Sequence, residues 1–179
     1  MIDALHMKPT LYIFSGLPGS GKTTLASRLA KALAIPYFRL DTIEHGMRQI
    51  CSLKVGGEGY RLTYRIVADN LKIGNDVVVD CVNPWALTRR EWEAVATAND
   101  AQYLNLEVVC SDREEHRRRA ISRVSDIAGF ELPTWDEITQ RDYQAWTEDR
   151  MVIETSKKGI DDCVAEVLKK IGENKKDNA

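Results

Sequence analysis

The chain has 179 residues and a formal net charge of −2, with 44% hydrophobic and 29% charged residues. This length suits one α/β domain with a single core, so we expect residues 1–179 to form one domain. The charge balance disfavours recruitment of nucleic acid by a global basic field. No stretch approaches the roughly 20 apolar residues of a membrane span, and the N-terminus lacks a signal-peptide pattern. We therefore expect a cytoplasmic protein without a membrane partner, and a nucleic-acid partner is disfavoured.

Short apolar runs alternate with amphipathic segments, which is typical of βαβ units around a parallel sheet. Strands are predicted at residues 11–14, 37–40, 77–80, 103–109 and 151–154. Helices are predicted at 22–34, 42–50, 60–73, 84–98, 112–123, 135–147 and 160–171. Asn83, Ser111 and Thr134 are the expected N-caps of three of these helices, and the polar residues 172–179 are expected to fray. The predicted fold is α/β.

Four cysteines, Cys51, Cys81, Cys110 and Cys163, are spread along the chain. No two of them have C-x-x-C spacing, and no histidine cluster joins them into a zinc pattern. Two of them end or follow apolar runs, where a thiol usually behaves as a small buried hydrophobe. We expect reduced, structural cysteines and assign no role to the three histidines.

A glycine-rich segment follows the first predicted strand and opens the first predicted helix. It matches G-x-x-x-x-G-K-[ST] at every specified position, in the context that this motif requires. A turn that binds nothing would not need the lysine and threonine. The nucleotide-binding residues predicted from the motif are Gly16, Leu17, Pro18, Gly19, Ser20, Gly21, Lys22, Thr23 and Thr24.

Each part of this phosphate loop has a physical task. The glycines let successive backbone N–H groups point at phosphate oxygens, at the positive end of the following helix. Lys22 is expected to place its ammonium against the β- and γ-phosphates, and Thr23 to offer a hydroxyl to Mg²⁺. The sequence thus predicts a nucleoside triphosphate bound with Mg²⁺, with ATP as the preferred nucleotide.

Two aspartates, Asp41 and Asp80, stand at the carboxyl ends of predicted strands, where ligands of open parallel sheets bind. Asp41 is a candidate to accept a proton from a substrate hydroxyl. It also begins a capping-box pattern with Glu44, so a purely local role remains open. Asp80 is a candidate to hold Mg²⁺ together with Thr23, or alternatively to anchor the phosphate loop.

The helix predicted at 112–123 is very basic. Arg119 and Arg123 share one face of it, from which two guanidinium groups reaching over a triphosphate could neutralise the transferring group. The alternative is a solvated face paired with nearby acidic residues, namely Glu114, Glu115 and Asp126. Aromatic residues in the next predicted helix are expected to pack rather than to bind a base: Trp135, Tyr143 and Trp146.

These motifs resemble small P-loop kinases of the nucleoside-monophosphate-kinase-like superfamily. The closest likeness is to AAA_33-type kinases, which are related to chloramphenicol phosphotransferase, polynucleotide kinase and zeta-toxin-type enzymes. The segments that carry the resemblance are GLPGSGKTTLA at 16–26, LD at 40–41, VVVDCVNP at 77–84, the Arg119/Arg123 pair and VIETS at 152–156.

The resemblance implies a three-layer P-loop NTPase fold with a five-stranded parallel sheet, ATP as donor, and a helical lid at about 113–147. It implies that Asp41 acts as base or substrate ligand and that the lid arginines contact phosphates. It also implies that residues 154–157 lie near the adenine. Such families often have aspartate where this chain has Glu154, so no catalytic role is assigned there.

Three functions are compatible with these features. The first is a kinase that moves the γ-phosphoryl group of ATP to a hydroxyl of a small-molecule acceptor, with Lys22, Asp41, Arg119 and Arg123 as its catalytic residues. The second is a nucleotide-dependent ATPase or regulatory switch with a protein partner. The third is a nucleic-acid end kinase. A GTPase is disfavoured because the chain has no evident N-K-x-D motif.

Overall fold

The computed structural model describes residues 8–177, with side chains through Glu173; His6 and residues 178–179 lie outside the described residues. The strands in this part of the chain are β1 (Thr10–Ser15), β2 (Tyr37–Arg39), β3 (Val77–Asp80), β4 (Gln102–Val109) and β5 (Met151–Glu154). The helices there are α1 (Lys22–Leu33), α2 (Leu40–Ile50), α3 (Glu58–Lys72), α4 (Ala86–Ala98), α5 (Arg113–Ser122), α6 (Trp135–Thr139) and α7 (Ile160–Asp177).

The five strands form one parallel sheet in the order β2-β3-β1-β4-β5. This confirms the predicted α/β fold with a five-stranded parallel sheet. In register, Asp80 lies beside Phe14 on one side and beside Arg39 on the other. The carboxyl ends of β1, β2 and β3 therefore meet at one edge, where the ligands of such sheets bind.

Alternate residues of the strands feed two separate cores, because successive side chains of a strand point to opposite faces. Tyr12 and Phe14 of β1 belong to the core that packs against α1 and α7. Leu11 and Ile13 belong to the other core, with Val67 of α3 and other residues of α2–α4. Helices thus cover both faces of the sheet, which gives the three layers that were predicted.

Two of the three predicted helix caps are wrong. Helix α4 begins after Trp85, and Asn83 instead has a positive φ of 52° and donates from Nδ2 to Ser15 Oγ at 3.0 Å. The cap of α5 is Asp112, whose side chain accepts from two backbone N–H groups, rather than Ser111. The capping box at Thr134 is confirmed, with the Thr134 and Glu137 side chains each bonded to the other's backbone.

Helix α6 ends at Thr139, so the predicted extension to residue 147 is wrong. The segment beyond it is held by Arg89, which is fully buried. The Arg89 guanidinium donates to the carbonyls of Gln144 and Ala145, and it lies 4.0 Å from the centre of the Trp146 ring. The Gln144 N–H donates to the Pro84 carbonyl at 2.8 Å, instead of to the Gln140 carbonyl as a continued helix would require. Trp146 packs, as expected, but outside any helix.

The last helix runs to Asp177 instead of ending at Ile171, so residues 172–177 are helical rather than the frayed tail that we predicted. Three cysteines are buried, Cys51 is exposed, and no two of the four form a disulfide. Within residues 8–177, no helix has the length and apolar character needed to cross a membrane.

Candidate functional site

The phosphate loop joins β1 to α1 and lies at the carboxyl edge of the sheet. At Gly16, where φ is +144°, an added Cβ atom would lie only 2.3 Å from the carbonyl oxygen of Val108. Gly21, with φ at +93°, directly precedes the first residue of α1. A side chain at either position would be strained. The loop therefore has the tight curvature with which backbone N–H groups cradle phosphate at a helix N-terminus.

Lys22 and Asp80 form a buried ion pair at this loop, in which the Lys22 ammonium donates to Asp80 Oδ1. The Tyr37 hydroxyl donates to Asp80 Oδ2 at 2.8 Å. Burial raises the pKa of Asp80, but the charge of Lys22 and hydrogen bonds from Lys22, Tyr37 and Thr23 leave that pKa below its usual value. Asp80 is thus held as an ion pair with Lys22 at the end of the phosphate loop, and its two roles, anchoring the loop and holding Mg²⁺, stay predictions.

The contact between Thr23 and Asp80 bears on the predicted Mg²⁺ site. Hydroxyl and carboxylate oxygens are hard ligands of the kind that Mg²⁺ accepts, and Mg²⁺ usually keeps several waters and substrate phosphates besides one or two carboxylates. In the described part of the chain, no group of three or more His, Cys, Asp or Glu side chains could hold a metal. The small oxygen set at Thr23 and Asp80 therefore fits Mg²⁺ bound together with a triphosphate.

Arg119 lies beside the phosphate loop and is fixed there by several contacts. Its guanidinium donates to Thr155 Oγ1 at 3.0 Å, to the Thr155 carbonyl at 2.9 Å and to Glu115 at 2.8 Å. Thr155 in turn donates to the carbonyl of Ser20 at 2.7 Å. The segment after β5, which the family resemblance places near the adenine, thus contacts the phosphate loop directly.

Asp41 lies in the first turn of α2, whose N-cap is Arg39, without a side-chain cap bond. The alternative that Asp41 caps this helix is therefore wrong. The Asp41 carboxylate forms no hydrogen bond or ion pair with any residue between 8 and 173. It lines a cleft of about 860 Å³ that also includes Lys22, Thr23 and Arg123.

Arg123 reaches the same cleft from the end of α5. Its Nε and Nη2 atoms are buried and have no partner among the described residues. Burial lowers the pKa of Arg123, Arg39 lowers it further, and the charge of Asp41 opposes them. The solvated-face alternative holds for Arg118, which pairs with Glu115 on the surface, but not for Arg123.

The far wall of the cleft is made by α2 and the segment 124–133. His45 Nε2 of α2 lies 3.0 Å from the Ala128 carbonyl, and the His45 ring meets Phe130 edge-on at 5.5 Å between centroids. Arg39 donates to Asp126 of the same segment at 2.7 Å. These contacts place the segment across the opening, on the side of Asp41.

The sequence did not reveal several residues of the site. Tyr37, Arg39 and Thr155 were not singled out, although Arg39 stands at a strand end as Asp41 does, and that position was a usable signal. His116 had no assigned role, but its Nε2 lies 2.9 Å from the Pro18 carbonyl and its ring packs against Trp135. It supports the phosphate loop from α5.

Comparisons with known proteins agree with this geometry. The AAA_33 family, described as an AAA domain, matches residues 11–144. An adenylyl-sulfate kinase of Shewanella halifaxensis (strain HAW-EB4) is 30% identical over 156 residues, which are 76% of this chain and 75% of that protein.

Two solved structures share the fold at low sequence identity. An APS kinase of Mycobacterium tuberculosis in complex with AMPPNP and APS has a TM-score of 0.67 at 19% identity, covering 90% of this chain and 96% of that one. A gluconokinase of Sinorhizobium meliloti 1021 has a TM-score of 0.61 at 15% identity, covering 96% and 98%. With the phosphate loop on this sheet and the family match over most of its length, the chain belongs to the AAA_33 family and is a P-loop kinase.

Proposed function

We propose that this kinase transfers the γ-phosphoryl group of ATP to a hydroxyl group of a small-molecule acceptor. The observation that carries the proposal is that Asp41, a carboxylate without a partner among the described side chains, shares one cleft with the phosphate loop. A P-loop switch protein has no need of such a group opposite its nucleotide. A kinase needs one to orient the attacking hydroxyl.

The donor half of the site holds the triphosphate. Backbone N–H groups of residues 16–24 and the N-terminus of α1 bind phosphate oxygens, and Lys22 turns its ammonium from Asp80 towards the β- and γ-phosphates. Thr23 and Asp80 would hold Mg²⁺, which would supply positive charge to offset the charge of the phosphates. The Lys22–Asp80 ion pair supports this role because it holds the ammonium beside the loop.

The acceptor half performs the transfer. The acceptor O–H donates to the Asp41 carboxylate, which orients the oxygen for in-line attack on the γ-phosphorus. A new bond forms between that oxygen and phosphorus, and the bond from phosphorus to the β–γ bridging oxygen breaks. Its electron pair leaves with ADP, and Asp41 takes the acceptor proton.

Arg119 and Arg123 neutralise charge on the transferring group, which spreads over its equatorial oxygens in the transition state. Arg119 is supported in this role by its fixed position beside the loop. We propose that residues 113–147 act as the lid of a single kinase domain. The segment contains both arginines and crosses the cleft, so its closure excludes water from the reacting atoms.

The test is an ATP-consumption screen with Mg²⁺ across candidate acceptors, including adenylyl sulfate and gluconate, nucleosides, sugars, antibiotics and oligonucleotides. We expect slow hydrolysis of ATP alone and rapid consumption with one class of small hydroxyl compound. A rate that responds only to an added protein indicates an ATPase switch instead. Binding of oligonucleotide with a steep salt dependence indicates an end kinase.

Asp41→Asn tests the role of the carboxylate. We expect kcat to fall by about 10²- to 10⁴-fold, the usual contribution of a positioned base, while the Kd for ATP measured by calorimetry stays unchanged. Asp69→Asn, on the exposed face of α3, is the matched control and should keep full activity. Full activity in Asp41→Asn would contradict the proposed role.

A further inference from the structure

The acceptor side of the cleft contains buried guanidinium donors that no described residue satisfies, although carboxylates also line it, namely Asp41, Glu44, Asp126, Glu131 and Glu137. Three buried guanidinium atoms, Arg39 Nε and Arg123 Nε and Nη2, have no hydrogen-bond partner among the described residues. Buried donors without partners are rare and costly, more so when they are charged. Both side chains line the cleft, so a ligand there can satisfy them.

The charges around this pair leave room for an anion. Burial lowers the pKa of Arg123, the charge of Asp41 opposes that effect, and the like charge of Arg39 lowers the pKa by a smaller amount. Asp41 faces Arg123, but the proposed reaction requires its carboxylate for the acceptor hydroxyl. Asp126 pairs with Arg39, yet its side chain is 76% exposed and belongs to the segment 124–133.

The position of Arg39 assigns it to the acceptor rather than to the triphosphate. Arg39 lies in register with Asp80, which lies in register with Phe14 just before the phosphate loop. Adjacent strands are about 4.8 Å apart, so Arg39 is displaced by about 10 Å across the sheet from the strand that carries the loop. It stands two residues before Asp41, on the side from which the acceptor hydroxyl must approach.

We propose that Arg39 and Arg123 form an oxyanion subsite, and that the acceptor is a hydroxyl compound that also carries a carboxylate, phosphate or sulfate group. This inference rests on the proposed function. Planar guanidinium groups bind such oxyanions through paired, charge-assisted hydrogen bonds. An acceptor whose anionic end binds this subsite presents its hydroxyl to Asp41. Its anionic group then replaces Asp126 as the ion-pair partner of Arg39.

A binding experiment tests the subsite apart from the reaction. Binding of AMPPNP with Mg²⁺ is measured first, and its absence overturns the proposed function. The enzyme saturated with AMPPNP, whose phosphate loop is then filled, is titrated with inorganic sulfate at ionic strength held constant with chloride. We expect the melting temperature to rise saturably with sulfate concentration. The apparent Kd for sulfate should rise at least about tenfold in Arg39→Met and in Arg123→Met.

Two control variants separate the guanidinium groups from their surroundings. Arg117→Met removes an exposed arginine from α5 and should bind sulfate as the wild type does. Asp126→Asn removes the ion pair but keeps Arg39, and should bind sulfate equally or more tightly. The proposal is overturned if sulfate does not bind saturably. It is also overturned if Asp126→Asn loses as much binding as Arg39→Met, because the position of the segment, rather than the guanidinium, would then matter.

An activity experiment identifies the kind of oxyanion. Acceptors are compared in matched pairs with and without the charged group, such as gluconate with glucose, glycerate with glycerol, and adenosine with its phosphate and phosphosulfate forms. We expect phosphorylation of the anionic member only. Arg39→Met should raise the acceptor KM at least about tenfold and leave the KM for ATP unchanged, with partial recovery in Arg39→Lys. Equal use of neutral and anionic members contradicts the proposal.

Discussion

The two halves of the cleft differ in how their polar groups are satisfied. On the donor side, Lys22, Asp80, Arg119 and Thr155 are bonded to one another, to β2 or to the phosphate loop. On the acceptor side, the side chains of Asp41 and Arg123 have no hydrogen-bond partner among the described residues, and the Arg39 guanidinium is only partly satisfied. The charged groups of the donor half are thus paired within the protein, although the buried Ser20 hydroxyl has no partner among the described residues, whereas those of the acceptor half are not fully paired.

This difference has a physical reason. A phosphate loop must be preorganised, since every turnover brings the same triphosphate and a fixed network costs no reorganisation at the moment of reaction. Groups that recognise an acceptor remain unsatisfied until it binds, at the expense of stability, as is common in functional sites. Substitutions on the donor side should therefore destabilise the fold, whereas those on the acceptor side should impair function alone.

Asp80→Asn is expected to have the largest effect. It leaves the buried Lys22 ammonium without its counter-ion, and breaking one partner of a buried pair typically costs about 3–5 kcal/mol of unfolding free energy. Urea denaturation measures the loss. Asp161→Asn, which removes an exposed ion pair to Arg28, is the matched control, and surface pairs contribute at most about 1 kcal/mol. Equal effects of the two variants would remove the distinction between the halves.

Thr155→Val should have an intermediate effect. It keeps the shape of the side chain but leaves the buried Ser20 carbonyl without its donor, and the unmet group costs about 1–3 kcal/mol. Arg119 also loses an acceptor, so we expect weaker ATP binding by calorimetry. Thr97→Val, in which an exposed hydroxyl bonds only its own helix, serves for comparison. An unchanged unfolding midpoint in Thr155→Val would show that the hydrogen bond from Thr155 to the Ser20 carbonyl does not stabilise the phosphate loop.

Arg123→Met should lower activity without lowering stability, unlike the donor-side substitutions. It replaces buried donors that lack partners, so the unfolding free energy should stay equal or rise by about 1–3 kcal/mol. Phosphoryl transfer should nevertheless fall by at least about tenfold, because a charge that acts on the reacting molecules is gone. Urea denaturation and steady-state kinetics on the same preparation check both parts. If the variant loses both stability and activity, Arg123 has a structural role instead.

The smallest expected effect is the pH dependence of the unfolding free energy that arises from Glu154 on the donor side. Burial raises the pKa of Glu154, but N–H groups and hydroxyls of Ser156 and Ser111 outweigh it and lower that pKa from 4.5 to about 2. A carboxyl whose folded pKa is depressed contributes stability above its unfolded pKa and loses it as pH falls. The unfolding free energy should thus decline between about pH 4.5 and pH 2. Glu154→Gln should make this decline less steep. An unchanged slope of the unfolding free energy against pH would contradict the expectation.

The sequence by itself determined the parts that depend on local patterns. The glycine, lysine and threonine positions of the phosphate loop follow from backbone geometry and phosphate chemistry within eight consecutive residues. The alternation of apolar runs and amphipathic segments was sufficient to predict the parallel sheet, since side-chain period reports which faces are buried. Asp41 and Asp80 could be placed at the ligand-binding edge because each ends a predicted strand.

Only the tertiary structure decided which of these groups are paired. Thr155 meets Ser20 across 135 residues, and Arg39 meets Asp126 across 87. No local pattern encodes such contacts, because they arise where separate loops converge at one edge of the sheet. The same is true of the segment beyond α6, where the Gln144 N–H donates to the Pro84 carbonyl and Arg89 binds the carbonyls of Gln144 and Ala145. Helix propensity is weaker than a buried charge that needs acceptors.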